Sequence, residues 1–160
     1  MKSRFVLALL AVAAPMTAVP ALGPAQAAAE ASYSPEEAEG IIFERQNIML
    51  QLEKDAELLG EIAAGLKPAD QLTEVTRSIA EGAAASRVAF EAQVPGGRSK
   101  PEVWTNWADY SQRLDAFDRN ASQLAELGAK GDLNGVTNVL GSALACKGCH
   151  DVYRGPKKTN

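Results

Sequence analysis

Residues 34–66 read SPEEAEGIIFERQNIMLQLEKDAELLGEIAAGL, and this stretch indicates the fold class of the 160-residue chain. Ser34, Pro35 and Glu37 form a capping box, which predicts the first turn of a helix. Gly65 and Pro68 predict its end near residue 66. Apolar residues recur along one stripe, which predicts a core-facing surface. The stripe contains Ile41, Ile48, Leu52, Ala56, Leu59, Ala63 and Leu66, with Ile42 and Met49 at its edge.

Three further segments carry helical signals. Ser99-Lys100-Pro101-Glu102 repeats the cap pattern, and Asp132 precedes another periodic segment. Pro95-Gly96-Gly97 predicts a loop over residues 90–100. Alternating polar and apolar runs are absent from the sequence after residue 27, while Ala, Leu, Glu and Gln are frequent, which favours helix over strand. We therefore predict an all-α, antiparallel four-helix bundle. Its helices cover about residues 34–66, 69–86 (with Leu72, Val75, Ile79 and Ala83 inward), 99–127 and 132–154.

The N-terminus has the features of an export signal. Lys2 and Arg4 precede the apolar run Phe5–Ala14, and Ala25-Gln26-Ala27 matches the small residues that signal peptidase accepts. We predict a cleaved secretory signal over residues 1–27, a mature domain over 28–160 and a periplasmic location. An uncleaved membrane anchor is the alternative, although the apolar run is too short to span a bilayer, and the mature chain is predicted to have no membrane span.

The charge balance excludes some classes of partner. The whole chain has 16 Lys and Arg against 20 Asp and Glu, and removal of two positive charges with residues 1–27 changes the net charge from −4 to −6. An acidic chain of this kind lacks the basic surface that nucleic-acid binding requires, so we predict no nucleic-acid partner. The redox partner is not identified by the sequence.

The most specific motif is Cys146-Lys147-Gly148-Cys149-His150, which contains both cysteines and the only histidine of the chain. C-x-x-C-H is the attachment signature of c-type haem. Two thiols add across the two vinyl groups, and the adjacent imidazole becomes the proximal iron ligand. On a helix, Cys146 and Cys149 lie one turn apart and can reach one edge of a porphyrin. We predict one haem c, attached through two thioethers near the C-terminus and ligated by His150.

Three other interpretations of the motif leave part of it unexplained. A Cys146–Cys149 disulfide leaves His150 without a role. A thioredoxin-like dithiol needs strands, which the sequence does not predict. A zinc site needs a fourth ligand.

Two residues of the first helix are candidate haem contacts. Arg45 lies on the apolar stripe, where an unpaired cation is costly to bury, and a haem propionate would neutralise it. An arginine that reaches solvent or pairs with an acidic side chain is the alternative. Met49 is the single methionine of the mature chain, so it is the one candidate thioether for the iron. A haem-contacting Met49 without an iron bond is equally compatible with the pattern.

Helical periodicity makes two more predictions. Along a continuous fourth helix, His150 shares an arc with a set of apolar residues, which places the haem inside the bundle. That set is Val136, Val139, Leu140 and Ala143.

On the first helix, three apolar residues lie opposite the core stripe, either as scattered exposed residues or as a self-association surface. They are Phe43, Leu50 and Leu58.

The chain resembles the cytochrome c′ family of class II c-type cytochromes, including its low-spin Met/His relatives. The resemblance covers the mature chain and rests on Arg45-Gln46-x-x-Met49, on Lys100-Pro101-Glu102-Val103-Trp104 and on Cys146-Lys147-x-Cys149-His150-Asp151-x-Tyr153-Arg154. It implies that Arg45 contacts a propionate, that Met49 occupies the distal position, that Arg154 lines the proximal pocket and that Phe90 is a distal aromatic. It also implies homodimers through the first two helices.

The family contains electron carriers and gas-binding proteins. In the low-spin kind a methionine completes the iron coordination, and a thioether ligand raises the potential. In the high-spin kind the resemblance implies a five-coordinate iron that binds nitric oxide or carbon monoxide. We predict a periplasmic electron-transfer protein rather than an enzyme, with gas binding as the alternative.

Overall fold

The computed structural model describes residues 33–157, so the predicted signal over residues 1–27 lies outside the described residues. The described chain forms helices and connections, with no strand between residues 33 and 157. α2 packs against both α1 and α4, and α4 packs against α5, which confirms the predicted four-helix bundle. The helices are α1 (Pro35–Ala63), α2 (Leu72–Glu91), α3 (Glu102–Thr105), α4 (Trp107–Ala129), α5 (Leu133–Ala143) and α6 (Cys146–Tyr153).

The start of α1 is confirmed in detail. The Ser34 hydroxyl accepts from the Glu37 amide at 3.3 Å, and the Glu37 carboxylate accepts from the Ser34 amide at 2.8 Å. The helix ends at Ala63, and Gly65 has a φ of 72°, the left-handed conformation that glycine adopts at low cost. The expectation that Leu66 is buried is therefore wrong, because it lies beyond the helix end and is 76% exposed. Ile62 is buried in the core face instead.

The predicted core face of α2 is confirmed, but its predicted end near residue 86 is wrong. The four residues that were expected to point inward are all buried. The helix continues to Glu91, so Phe90 belongs to α2 and not to a loop. The extension has a simple cause, since no proline or glycine interrupts the chain between Gly82 and Pro95.

The predicted third helix consists of two helices. α3 is a single turn, and Asn106 separates it from α4 with a non-helical ψ of 45°. The predicted cap at Ser99 is wrong, because Ser99 pairs with Arg154 in an isolated antiparallel bridge. This long-range pairing bonds residues 98–100 to the chain around Arg154, and local sequence rules do not detect it.

The predicted fourth helix is also divided. Its start is confirmed, since the Asp132 carboxylate accepts from the Gly135 amide at 2.8 Å. The helix stops at Ala143, and Leu144 has a ψ of 46°. The predicted arc from α5 to His150 is therefore wrong, because the break removes the helical register on which it depended.

Two clusters of buried side chains lie along the bundle. The first combines residues of α1, α2, α4 and α5, including Leu59, Ile79 and Leu124. Leu58 packs against this cluster, so its assignment to an exposed face of α1 is wrong, whereas Phe43 and Leu50 are exposed as expected. The second cluster contains Phe90, Val103, Tyr110, Leu114 and Tyr153, with Met49, Trp104 and Trp107 packed against it. Within residues 33–157, no helix is both long and apolar enough to cross a bilayer.

Candidate haem-binding site

The attachment motif lies on α6, an eight-residue helix that begins at Cys146. Cys146 is exposed and Cys149 is half-buried, and neither thiol forms a disulfide. The two cysteines lie three residues apart and therefore on neighbouring turns of one face. Burial raises the pKa of the Cys149 thiol. The Cys146–Cys149 disulfide is thus absent from this structure, and the thiols are free for other chemistry.

His150 is half-buried on the same helix, directly after Cys149. Burial lowers the pKa of its imidazole, and the positive charges of Arg154 and Arg98 lower it further. These effects favour the neutral ring, the form that can bind a metal. Arg154 is exposed, and its Nη1 lies 3.4 Å from His150 Nδ1. The structure thus places Arg154 one turn after His150 and beside its ring.

An aromatic cluster joins α6 to the other helices. The Tyr110 ring lies 4.8 Å from the Tyr153 ring and 5.3 Å from the Phe90 ring, both in edge-to-face geometry. Burial raises the pKa of Tyr110 well above its usual value. Met49 is half-buried and packs against this cluster. The candidate distal residues Met49 and Phe90 therefore belong to, or pack against, the same apolar cluster as Tyr153 at the end of α6.

Arg45 is buried on α1, with 4% of its surface exposed. Its guanidinium donates to the backbone carbonyls of Ala89 at 2.9 Å and Val94 at 2.6 Å, and to that of Ala92. It lies over the rings of Phe90 and Trp104, 4.9 and 5.2 Å from their centroids. Burial lowers the pKa of this arginine.

The Arg45 side chain retains capacity for one more partner. Among residues 33–157 it forms no salt bridge, so neither snorkelling to solvent nor pairing with an acidic side chain describes it. A guanidinium has five N–H donors, and three hydrogen bonds leave two of them. The three carbonyl partners were missed from the sequence, because they lie 44 to 49 residues away along the chain.

Both tryptophans serve as packing residues. The Trp104 indole donates to the Phe90 carbonyl at 3.3 Å, and Trp107 lies below the Arg87 guanidinium at 5.7 Å. Each also packs against the second cluster.

Asp109, Arg113 and Tyr153 form a polar group that sequence analysis missed. Arg113 Nε donates to the Asp109 carboxylate at 2.7 Å, and its Nη1 donates to the Gly148 carbonyl at 2.6 Å. The Tyr153 hydroxyl donates to the same Asp109 carboxylate and accepts from Asn106 at 3.1 Å. The i,i+4 spacing of Asp109 and Arg113 was the one available signal, and it indicates only a helical ion pair.

The other interpretations of the motif find no support in the described chain. Between residues 33 and 157, no group of three or more His, Cys, Asp or Glu side chains has the arrangement of a metal site. The strands that a thioredoxin-like dithiol requires are also absent from that range.

The donor set fits a covalently held haem. Cys146 and Cys149 supply two thiols on adjacent turns, and His150 supplies an imidazole whose pKa is lowered by burial. Arg45 supplies a buried cation with two unused donors, which suits a carboxylate-bearing group. The aromatic and apolar cluster supplies walls of the kind that surround cofactors in helical bundles.

A family model described as Cytochrome C' matches residues 40–154, more than half of the chain. The chain belongs to the cytochrome c′ family. Members of this family bind one covalent haem c, and this chain is accordingly a c-type haem protein.

Two curated relatives match parts of the chain. A cytochrome c′ from Alcaligenes xylosoxydans xylosoxydans is 37% identical over 70 residues, which cover 43% of this chain and 55% of the relative. A cytochrome c′ from Rubrivivax gelatinosus is 33% identical over 60 residues, which cover 37% of this chain and 46% of the relative. The chain thus spans about half the length of the curated relatives it matches.

Solved cytochrome c′ structures match over most of their length. One is a nitric oxide complex of a leucine-to-alanine variant of cytochrome c prime from Alcaligenes xylosoxidans. It is 28% identical, with a TM-score of 0.69 and coverage of 75% of this chain and 97% of the neighbour. Another is the ferric protein of the same organism, 28% identical, with a TM-score of 0.68 and coverage of 78% and 98%.

Proposed function

We propose that this chain is an exported, periplasmic cytochrome that transfers electrons through a haem bound at Cys146, Cys149 and His150. The single observation that carries electron transfer is the position of Met49. Its side chain packs against the cluster that contains Tyr153, the last residue of the attachment helix α6. The signal-like residues 1–27 support export.

Attachment requires no oxidant. Each cysteine loses its S–H bond and gains an S–C bond to a vinyl carbon, while the hydrogen passes to the neighbouring vinyl carbon. Cys146 is exposed and Cys149 half-buried, so both thiols are accessible on one helix face. When bound, the haem supplies an iron that gains or loses one electron.

Arg45 is the residue that we propose for a haem propionate. Its burial, its lack of an ion-pair partner in the described chain and its two unused N–H groups support this role. Phe90 is proposed as an aromatic wall on the Met49 side, and Arg154 as a residue on the His150 side. No catalytic residue is proposed.

Reversible gas binding is the second candidate. The side chains around Met49 are mainly apolar and aromatic, which suits a small uncharged ligand. A structural neighbour is a nitric oxide complex of a cytochrome c prime variant, which supports nitric oxide as the ligand. The two candidates differ in whether the Met49 sulfur binds the iron.

Replacement of Met49 by leucine is expected to change the ferric spectrum from low-spin to high-spin. Leucine keeps the volume of the side chain but removes the sulfur, so packing is retained while the sixth ligand is lost. The measurement is the absorption spectrum of the ferric holoprotein, including the near-infrared methionine-to-iron charge-transfer band, before and after carbon monoxide is added to the ferrous form.

Ile42→Leu is the matched control, because Ile42 lies at the same edge of α1 two turns before Met49. It is expected to keep the wild-type spectrum. A wild-type protein that is high-spin, takes up carbon monoxide readily and is unchanged by Met49→Leu would contradict electron transfer through a Met/His iron and favour gas binding.

We further propose that two copies associate through α1 and α2. Phe43 and Leu50 lie two turns apart on one face of α1 and are 64% and 54% exposed, and Val88 on α2 is 69% exposed. Apolar side chains of this size become favourable contacts when a second copy covers them.

Phe43→Glu and Val88→Glu are each expected to weaken self-association at least tenfold, since a charge would be buried in an apolar contact. Sedimentation velocity across a concentration series measures the effect. Leu66→Glu is the control, because Leu66 is 76% exposed but lies beyond the end of α1. A wild-type chain that remains monomeric at high concentration would refute the dimer, as would glutamate variants that match the control.

A further inference from the structure

The orientation of α6 is not set by a continuous helix from α5. Leu144 and Ala145 interrupt the helix, so α6 is a separate element of eight residues. Tyr153 is its one buried residue, and the cysteines and His150 are exposed or half-buried. Full burial on α6 is therefore confined to its last residue, and polar contacts also act on the direction of the motif.

α4 supplies those contacts on both sides of His150. Before His150, Arg113 donates to the carbonyl of Gly148, which lies between the two cysteines. After His150, the Tyr153 hydroxyl donates to Asp109. A helix held at two points along its length has little freedom to rotate about its axis or slide along its neighbour.

Asp109 connects the two contact points. Its carboxylate accepts from both Arg113 and Tyr153, and Arg113 and Tyr153 together hold the pKa of Asp109 below its usual value. The Arg113 guanidinium also lies over the Tyr153 ring, 5.7 Å from its centroid. The three side chains therefore form one unit, in which loss of any member affects the other two.

The end of α6 is held on a different side by residues 98–100. The Lys100 amide donates to the Tyr153 carbonyl at 3.0 Å, and Arg98 donates through Nε and Nη2 to the Gly155 carbonyl. These bonds fix the C-terminal end of α6, whereas the Arg113 contact is the polar anchor within the motif itself.

We propose that Asp109, Arg113 and Tyr153 are positioning residues that align the attachment helix, so that both thiols and the His150 imidazole present to one haem. This inference rests on the proposed attachment at Cys146, Cys149 and His150. The cluster acts on the geometry of the motif and does not itself touch the reacting atoms.

The test compares holoproteins produced with the cell's haem-attachment machinery. The variants are Arg113→Gln, Asp109→Asn and Tyr153→Phe, the last of which keeps the buried ring and removes only the hydroxyl. The control is Arg77→Gln, which removes an equivalent i,i+4 ion pair with Glu81 on α2, remote from α6. Intact mass gives the haem-loaded fraction, the pyridine haemochrome spectrum reports how many vinyl groups have reacted, and Soret circular dichroism reports haem orientation.

Each cluster variant is expected to contain a several-fold larger fraction of chains with no thioether or one thioether, and its loaded fraction is expected to show an altered Soret dichroism. In the Arg113→Gln, Tyr153→Phe double variant, the fraction of chains with two thioethers should fall by less than the product of the two single-variant fold-decreases. This is because both residues act through Asp109. The thermal unfolding midpoint of Tyr153→Phe separates this effect from general destabilisation, since it is expected to lie near that of the control.

Two results overturn different conclusions. A wild-type chain without covalent haem would refute the proposed attachment. A fully loaded wild type, with cluster variants that match Arg77→Gln in thioether number and Soret dichroism, would refute the positioning role and leave the attachment intact.

Discussion

Replacement of both Cys146 and Cys149 by serine is expected to give a chain that carries no covalently attached haem. Serine hydroxyls do not form thioethers with vinyl groups, so any bound haem would be held only by His150 and non-covalent contacts. The measurement is intact mass under denaturing conditions, where wild type should show the mass increment of one haem and the variant should show the mass of the polypeptide alone.

Ala145→Ser is the matched control for that experiment. Ala145 is exposed and directly precedes the motif, so the change adds a hydroxyl at the start of α6 and leaves both thiols in place. The control is expected to be fully loaded. A covalent haem in the double serine variant would show that attachment does not occur through these two residues.

The Arg45→Met variant is expected to lower the free energy of unfolding by roughly 3–5 kcal/mol. Methionine preserves much of the apolar stem but provides no donor for the carbonyls of Ala89, Ala92 and Val94. The Ala89 carbonyl lies in the last turn of α2, where helical amides no longer follow, and the Ala92 and Val94 carbonyls lie in the segment after the helix. Chemical denaturation of the holoprotein, followed by far-ultraviolet circular dichroism, measures the change.

Arg119→Met, on the exposed face of α4, is the comparison for Arg45→Met and is expected to alter stability by no more than about 0.5 kcal/mol. Equal stabilities for the two variants would mean that solvent or a backbone shift satisfies the three carbonyls. The Arg45 hydrogen bonds would then contribute little to holding the end of α2.

Sequence reasoning succeeded where the signal was local. The capping box at Ser34 and the inward face of α2 follow from spacings of three and four residues, and both are present in the structure. It failed where the fold depends on distant contacts. The Ser99 cap was wrong because Ser99 pairs with Arg154, and the continuous fourth helix was wrong because the chain breaks at Leu144.

The candidate site shows the same division. The attachment motif is contiguous, so its chemistry can be predicted from five consecutive residues. The burial of Arg45 could be predicted from its place on the apolar stripe, but its carbonyl partners could not, because they lie on α2 and the loop after it. In the cluster of Asp109, Arg113 and Tyr153, the i,i+4 spacing connects the first two residues, but Tyr153 lies 44 residues after Asp109 and no periodic pattern connects it to them.

The number of residues in the connection between α2 and α3 is constrained at both of its ends. Near its start, Arg45 of α1 holds the carbonyls of Ala92 and Val94, and at its end residues 98–100 are bonded to the last turn of α6. One added or deleted residue would leave one of these ends unattached, although Pro95, Gly96 and Gly97 make the segment resemble a tolerant surface loop. Variation in chain length is easier to accommodate at residues 64–68, where the turn that follows α1 is exposed.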